Sequence, residues 1–258
     1  MNQTCPAEFV AFAHHLGDIA CDILRTRASL PPQVEIKGDG SPVTDTDKAV
    51  EHAVRAEILR AYPAHGIHGE EFPPIRLDAD YVWVIDPLDG TKEYVQGLPL
   101  FGFLLGLMHG EETIIGLAEQ PLLRHRWLGA KGHGTTRGST PVHTSAHRTL
   151  EDAVISTMGY DTFARAHHAR LARLRLNHRK TVIADSFYVF GLLAEGRVDL
   201  IASDGFALHD YAALDAIVRH AGGTVTDWSG NPLGRHGNGT ILAAATRELH
   251  AEALAALK

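Results

Sequence analysis

The segment Tyr81-Val82-Trp83-Val84-Ile85-Asp86-Pro87-Leu88-Asp89-Gly90-Thr91 constrains this chain more than any other. It begins as a short, buried β-rich run and closes on two carboxylates three positions apart. Pro87 removes a backbone donor and stiffens the turn. Gly90 allows close approach of the backbone. Thr91 is placed to open a short helix, where free N–H groups hold anions. Acids therefore meet a phosphate-ready loop at the C-terminal edge of a strand, the usual location of an α/β active site. The competing reading is a solvated Asp-Pro, Asp-Gly turn.

The rest of the pattern supplies a frame for that strand. Phe9, Phe12, Ala13, Leu16, Ile19, Ala20, Ile23 and Leu24 recur at helical spacing, which predicts a helix near residues 6–28, ended by Pro31-Pro32. Thr46 is the expected cap of a second helix over 47–61. Strands are expected at Phe101–Met108, Thr113–Glu119 and Arg126–Ala130. The second part alternates: strands at 153–157, 182–183, 198–202, 224–226 and 240–243, helices at 162–174, 186–195, 210–220 and 246–257. The chain has 258 residues, enough for one large domain or two joined halves. The reading is of two α/β halves, 1–145 and 146–258, with a polar connector near 140–150 formed by Thr140-Pro141 and His143–Arg148.

Charge and cysteine exclude several classes. Acids outnumber bases by 31 to 24, giving a net −7, which argues against a general binder of nucleic-acid polymers. No apolar stretch is long enough to span a bilayer, and residues 1–15 do not resemble a signal peptide. Cys5 and Cys21 fall in or near one helix, about 24 Å apart by helical rise, too far for a disulfide. Two free thiols fit a cytoplasmic protein. The 17 histidines invite a zinc hydrolase, but no HExxH motif and no Cys/His cluster has zinc spacing.

Three further acidic features accompany the central segment. Ser41-Pro42-Val43-Thr44-Asp45-Thr46-Asp47 is a loop entering a helix, where plain capping is the alternative role. His68-Gly69-Glu70-Glu71 places two carboxylates after a short apolar stretch. His209-Asp210-Tyr211-Ala212-Ala213 sets Asp210 at the start of an apolar helix, where the dipole favours an acid. Together they supply hard oxygen ligands of the kind Mg²⁺ prefers.

On these motifs the chain resembles the inositol monophosphatase family. Asp86-Pro87-Leu88-Asp89-Gly90-Thr91 is similar to its central signature, Gly69-Glu70-Glu71 to its Glu-Glu element and Asp210-Tyr211-Ala212-Ala213 to its C-terminal metal aspartate. Lys37 with Ser41–Asp47 resembles its N-terminal element. The resemblance implies the αβαβα sandwich shared with fructose-1,6-bisphosphatases and a Mg²⁺-dependent phosphomonoesterase, cytoplasmic, Li⁺-sensitive and homodimeric. It implies that Glu70, Asp86, Asp89, Asp210 and the Leu88 carbonyl hold two or three Mg²⁺ ions. Glu70, Thr91 and Asp47 would position and deprotonate the attacking water, and the N–H groups of Gly90 and Thr91 would hold phosphate.

The stretches Tyr62–Glu71, Gly97–Gly102, Glu119–Pro121 and Arg126–Gly129 resemble histidinol-phosphatase-like members and imply histidinol phosphate as substrate. Asp89–Tyr94 also resembles nucleotide 3′-phosphatases, so inositol 1-phosphate and adenosine 3′,5′-bisphosphate stand as alternatives. A non-catalytic binder of phosphate esters is the alternative of another class. Two positions depart from the family. Ser203, with Asp204 beside it, replaces a substrate-contacting glutamate. Asp185, after Ile183-Ala184, either greets a cationic substrate group or caps the helix near Ser186.

Overall fold

The computed structural model describes residues 4–38, 40–157, 170, 171, 173, 174, 180–182 and 186–258. Helices α1 (Ala7–Arg27) and α2 (Asp45–Ala61) flank a hairpin of β1 (Val34–Ile36) and β2 (Pro42–Thr44). A seven-stranded sheet follows in chain order: β3 (Gly66–Gly69), β4 (Tyr81–Asp89), β5 (Gly102–His109), β6 (Glu112–Gln120), β7 (His125–Ala130), β8 (Gly134–Arg137) and β9 (Thr140–Val142). β3 pairs parallel with β4, and the later neighbours are antiparallel. Helix α3 (Thr91–Val95) interrupts this run after β4.

The second sheet is built from β10 (Val154–Thr157), β11 (Lys180–Val182), β12 (Leu200–Ser203), β13 (Thr224–Thr226) and β14 (Ile241–Ala244), in the spatial order β11-β10-β12-β14-β13. Helices α4 (Tyr188–Ala194) and α5 (Leu208–His220) fill the space between the sheets, and α6 (Arg247–Ala256) covers the outer face of the second. The first sheet carries α1 and α2 on its other face. The layers are therefore αβαβα, as the sequence implied.

Alternation on β4 shows why both faces need cover. Trp83 and Ile85 enter the core beneath α1 and α2, whereas Val84 meets Met108 and Ala212 on the opposite side. The approach of α5 depends on a row of glycines. Gly106, Gly116 and Gly129 are direct cross-strand partners on β5, β6 and β7. A Cβ on Gly116 would stand 2.0 Å from the Ala213 carbonyl oxygen. Small residues on both elements thus let α5 lie flat on the sheet, which sets the depth of its first turn.

Several expectations shift. The cap of α2 is Thr44, not Thr46. Thr44 is extended, its hydroxyl accepts from the Thr46 and Asp47 N–H groups, and its own N–H donates to Asp47. Several cap-forming residues in succession left the choice open, and the reciprocal pair with Asp47 decides it. β4 runs on through Asp86-Pro87-Leu88-Asp89. Thr140-Pro141 is not connector but part of the edge strand β9, where a proline is tolerated. The expected helix over 162–174 falls largely outside the described residues, as do Ile183 and Asp185. No helix of the described residues is long and apolar enough to cross a membrane.

Candidate active site

In a regular strand, residues three apart face opposite sides of the sheet. Asp86 and Asp89 escape that rule. Asp86 pairs with Leu104 and Asp89 with Gly102, three steps on β4 against two on β5. The extra residue is a β-bulge, and Pro87, with no N–H to lose, lies within it. Leu88 N–H donates to Asp86 Oδ1 at 3.0 Å and fixes the turn. The bulge brings both carboxylates to one side, where the first turn of α5 delivers Asp210. Ligand oxygens of Asp86, Asp89 and Asp210 lie within 4.8 Å of one another.

This trio is electrostatically uncomfortable by itself. Burial pushes the Asp86 carboxyl well above its usual range, and Glu70, Asp89 and Asp210 push it further. Asp89 is pushed up to about 8, by burial and then by Asp210. Burial also raises Asp210, against the opposing pull of His209 and Lys37. Asp210 Oδ2 accepts the Ala207 N–H at 2.6 Å, so the acid also closes the start of its helix. Phe187, ahead of α4, offers its N–H to Asp89 at 3.4 Å.

Glu70 stands beside the trio rather than in it. Lys37 Nζ holds Glu70 at 2.7 Å and Glu71 at 2.6 Å. Burial would lower the Lys37 ammonium, but those two carboxylates overcome it and hold it above its usual range. Lys37 comes from the β1–β2 hairpin, so the N-terminal element meets Glu70 and Glu71.

Asp47 is fully buried at the start of α2. Burial raises its carboxyl, and hydrogen bonds from Thr44 oppose the rise. Thr91 Oγ1 lies 3.2 Å from Asp47 Oδ1 and 3.0 Å from the Leu88 carbonyl, so its single proton serves one or the other. Gly90 adopts φ +82°, a left-handed conformation, and a Cβ there would meet the Leu100 carbonyl at 2.7 Å. Thr91 then starts α3, ahead of that helix's first internal hydrogen bond.

Of the other expected residues, Ser203 and Asp204 are described. Ser203 ends β12, 1% exposed, and its hydroxyl is a buried group with no hydrogen-bond partner among the described residues. Asp204 follows at 7% exposure. Asp185 lies outside the described residues. Two features went unnoticed in the sequence. The His68 and His209 rings stack at 6.3 Å beside Glu70 and Asp210. Glu51 on α2 is fully buried and bonds the backbone of the Glu70 loop. Its signal was the stripe Asp47, Glu51, Arg55 at four-residue spacing beside the apolar face of α2.

The donor set is chemically consistent with a hard divalent cation. The three residues that converge offer carboxylate oxygens that are largely desolvated, and none of the three is a thiolate or an imidazole. Comparison with known proteins agrees. The sequence profile of the inositol monophosphatase family matches residues 6–258. A histidinol-phosphatase of Streptomyces coelicolor is 38% identical over 256 residues, covering 94% of each chain. One from Mycobacterium tuberculosis is 34% identical over 249 residues, covering 94% of this chain and 95% of its own. A solved inositol monophosphatase from Zymomonas mobilis superposes with a TM-score of 0.89 at 34% identity, over 99% of both chains. The chain belongs to the inositol monophosphatase family, whose members are Mg²⁺-dependent phosphatases.

Proposed function

We propose that this chain hydrolyses histidinol phosphate to histidinol and inorganic phosphate. The observation that carries the reading is near-full-length similarity to two histidinol-phosphatases at 34–38% identity. The convergent carboxylates supply the chemistry such a reaction needs. A second reading, inositol 1-phosphate, is favoured by the equally extensive likeness to the Zymomonas enzyme.

In this reading Asp86, Asp89, Asp210 and Glu70, with the Leu88 carbonyl, hold two or three Mg²⁺ ions. Four carboxylates would be balanced in charge by two such ions, which would remove the repulsion within the cluster. Bound Mg²⁺ supplies a more acidic water and a counter-charge for the leaving oxygen. The protein's own residues do the rest. Thr91, while donating to Asp47, has lone pairs free to accept from the attacking water. A proton leaving that water passes to the Thr91 oxygen as the Thr91 proton passes to Asp47, whose raised affinity for protons suits the task. Glu70 orients the same water. The N–H groups of Gly90 and Thr91 face the phosphate oxygens at the start of α3. Attack proceeds in line as the bond from phosphorus to the ester oxygen breaks, and that oxygen leaves on the opposite side and takes a proton from solvent to become the alcohol.

The leaving group distinguishes the substrates. The Ser203 hydroxyl, which has no hydrogen-bond partner among the described residues, and the neighbouring Asp204 are our candidates for contact with it, with Asp185 for a cationic group. We also expect a homodimer. Measuring kcat/KM on histidinol phosphate, inositol 1-phosphate and adenosine 3′,5′-bisphosphate tests the assignment. Histidinol phosphate should lead by at least about tenfold, the equivalent of about 1.4 kcal/mol. Preference for either alternative would replace the reading.

A further inference from the structure

Glu51 has no part in the reaction just outlined, yet it is fully buried, a costly place for a carboxylate. It lies one turn beyond Asp47 on α2, so the two acids share a face of that helix. Its oxygens take three donors: the Glu71 N–H at 2.7 Å, the Phe72 N–H at 3.2 Å and Arg55 Nη1 at 3.0 Å. Arg55 carries the link onward. Its Nη2 donates to the Pro73 carbonyl at 2.6 Å, and its guanidinium lies 5.8 Å from the centre of the Phe72 ring. Gly69 completes the arrangement from the other side, since a Cβ there would stand 1.9 Å from Glu51 Oε1. Glu70 therefore sits between two residues whose backbone is set against a single carboxylate.

Charge explains why such a clamp is needed. Glu70 and Asp86 repel each other. A loose loop would relieve the repulsion by turning Glu70 outward, and a cation would then have to recover the lost order when it binds. Contacts that do not involve the Glu70 side chain can hold the loop without using the ligand itself. We propose that Glu51 and Arg55 are a positioning pair that fixes the Gly69–Pro73 backbone so that Glu70 is presented for cation binding. This rests on the metal reading above. Neither residue touches substrate or ion. The pair acts through the backbone, as partners behind metal ligands commonly do.

Calorimetric Mg²⁺ titration of metal-free protein, combined with amide hydrogen exchange at Glu71 and Phe72, tests the pair. Glu51→Gln keeps the shape but turns an amide toward N–H groups that need an acceptor. It should raise the Mg²⁺ Kd by about 10- to 100-fold and speed exchange at residues 71 and 72 while β4 stays protected. Arg55→Lys keeps the charge and loses the second arm to Pro73. It should move both readouts the same way by a smaller factor. Wild-type Mg²⁺ affinity in either variant overturns the proposal. So does weaker binding that accompanies faster exchange across the whole sheet, the mark of general destabilisation. If Glu51→Gln does not fold, Arg55→Lys decides by the same two readouts. Wild-type protein that fails to bind Mg²⁺ would instead strike the metal reading, so the two failures are distinguishable.

Discussion

Helix α5 carries two aspartates in opposite surroundings. Asp215 is buried against Arg219 one turn later, whose Nε and Nη2 reach its two oxygens at 2.8 and 2.7 Å. Asp210, at the other end, meets Asp86 and Asp89. The same contrast separates Glu119, buried against Arg126, from Asp86. Burial raises the carboxyls of Asp215 and Asp86 alike, so the direction of the shift does not tell them apart. The sign of the neighbours does. Asp215 and Glu119 have their cations within the chain and are architecture. Among the described residues the aspartate trio has only His209 and the more remote Lys37 acting on Asp210, against repulsion among three carboxylates, and its surroundings make sense when a cation arrives from outside.

Neutralising one member of each set should break the symmetry between them. Asp86→Asn should lower kcat/KM on the order of 10³-fold or more, the equivalent of about 4 kcal/mol of lost charge stabilisation. Its melting temperature in EDTA should hold or rise, because a repelling charge has gone. Asp215→Asn should do the reverse. It removes the buried carboxylate that pairs with Arg219, leaving that guanidinium the Thr113 carbonyl and the more distant Glu112, and should cost about 3 kcal/mol in urea unfolding, while the folded fraction keeps near-normal turnover. Normal turnover in Asp86→Asn would end the distinction.

The position of Asp210 depends on the glycine row beneath α5. Gly116→Ala would force the helix away from the sheet, at a cost of about 1–3 kcal/mol in stability. Mg²⁺ affinity should fall as Asp210 recedes; an unchanged affinity would show that the trio does not need that close packing.

The last effect concerns pH. Asp89 binds protons more tightly folded than unfolded, its carboxyl standing at about 8 against 3.8. Its protonated form therefore favours the metal-free fold below about 3.8, and the advantage is lost as pH rises through about 8. Thermal melts in EDTA should show this loss in wild type and a shallower one in Asp89→Asn. Saturating Mg²⁺ should remove the difference in slope. Parallel slopes in EDTA would mean that Asp89 is ionised without a cation.

How much of this could be read from the sequence depended on where the partners lie. Asp86, Asp89 and Gly90 belong to one short run of sequence, so their chemistry is visible in one segment. The bulge that aligns the two carboxylates is not, because it is defined against Leu104 and Gly102 on the neighbouring strand. Glu51 was read only as part of a helix, since its partners are backbone N–H groups some twenty positions away. Strands β8 and β9 are short and lack alternation, so β8 passed unread and Thr140-Pro141 of the edge strand β9 looked like connector. The Gly106, Gly116 and Gly129 row is spread over three strands, where each glycine alone reads as a weak point rather than as a seat for α5.

The central claim is that Asp86, Asp89 and Asp210 form a cation site completed from outside the chain. Unfolding of metal-stripped protein with and without Mg²⁺ tests it most directly. At about 100 times the Kd, Mg²⁺ should stabilise wild type and Asp215→Asn by about 2.7 kcal/mol each, and Asp86→Asn at the same concentration by much less. Equal stabilisation of Asp86→Asn, or none in wild type, would contradict the claim.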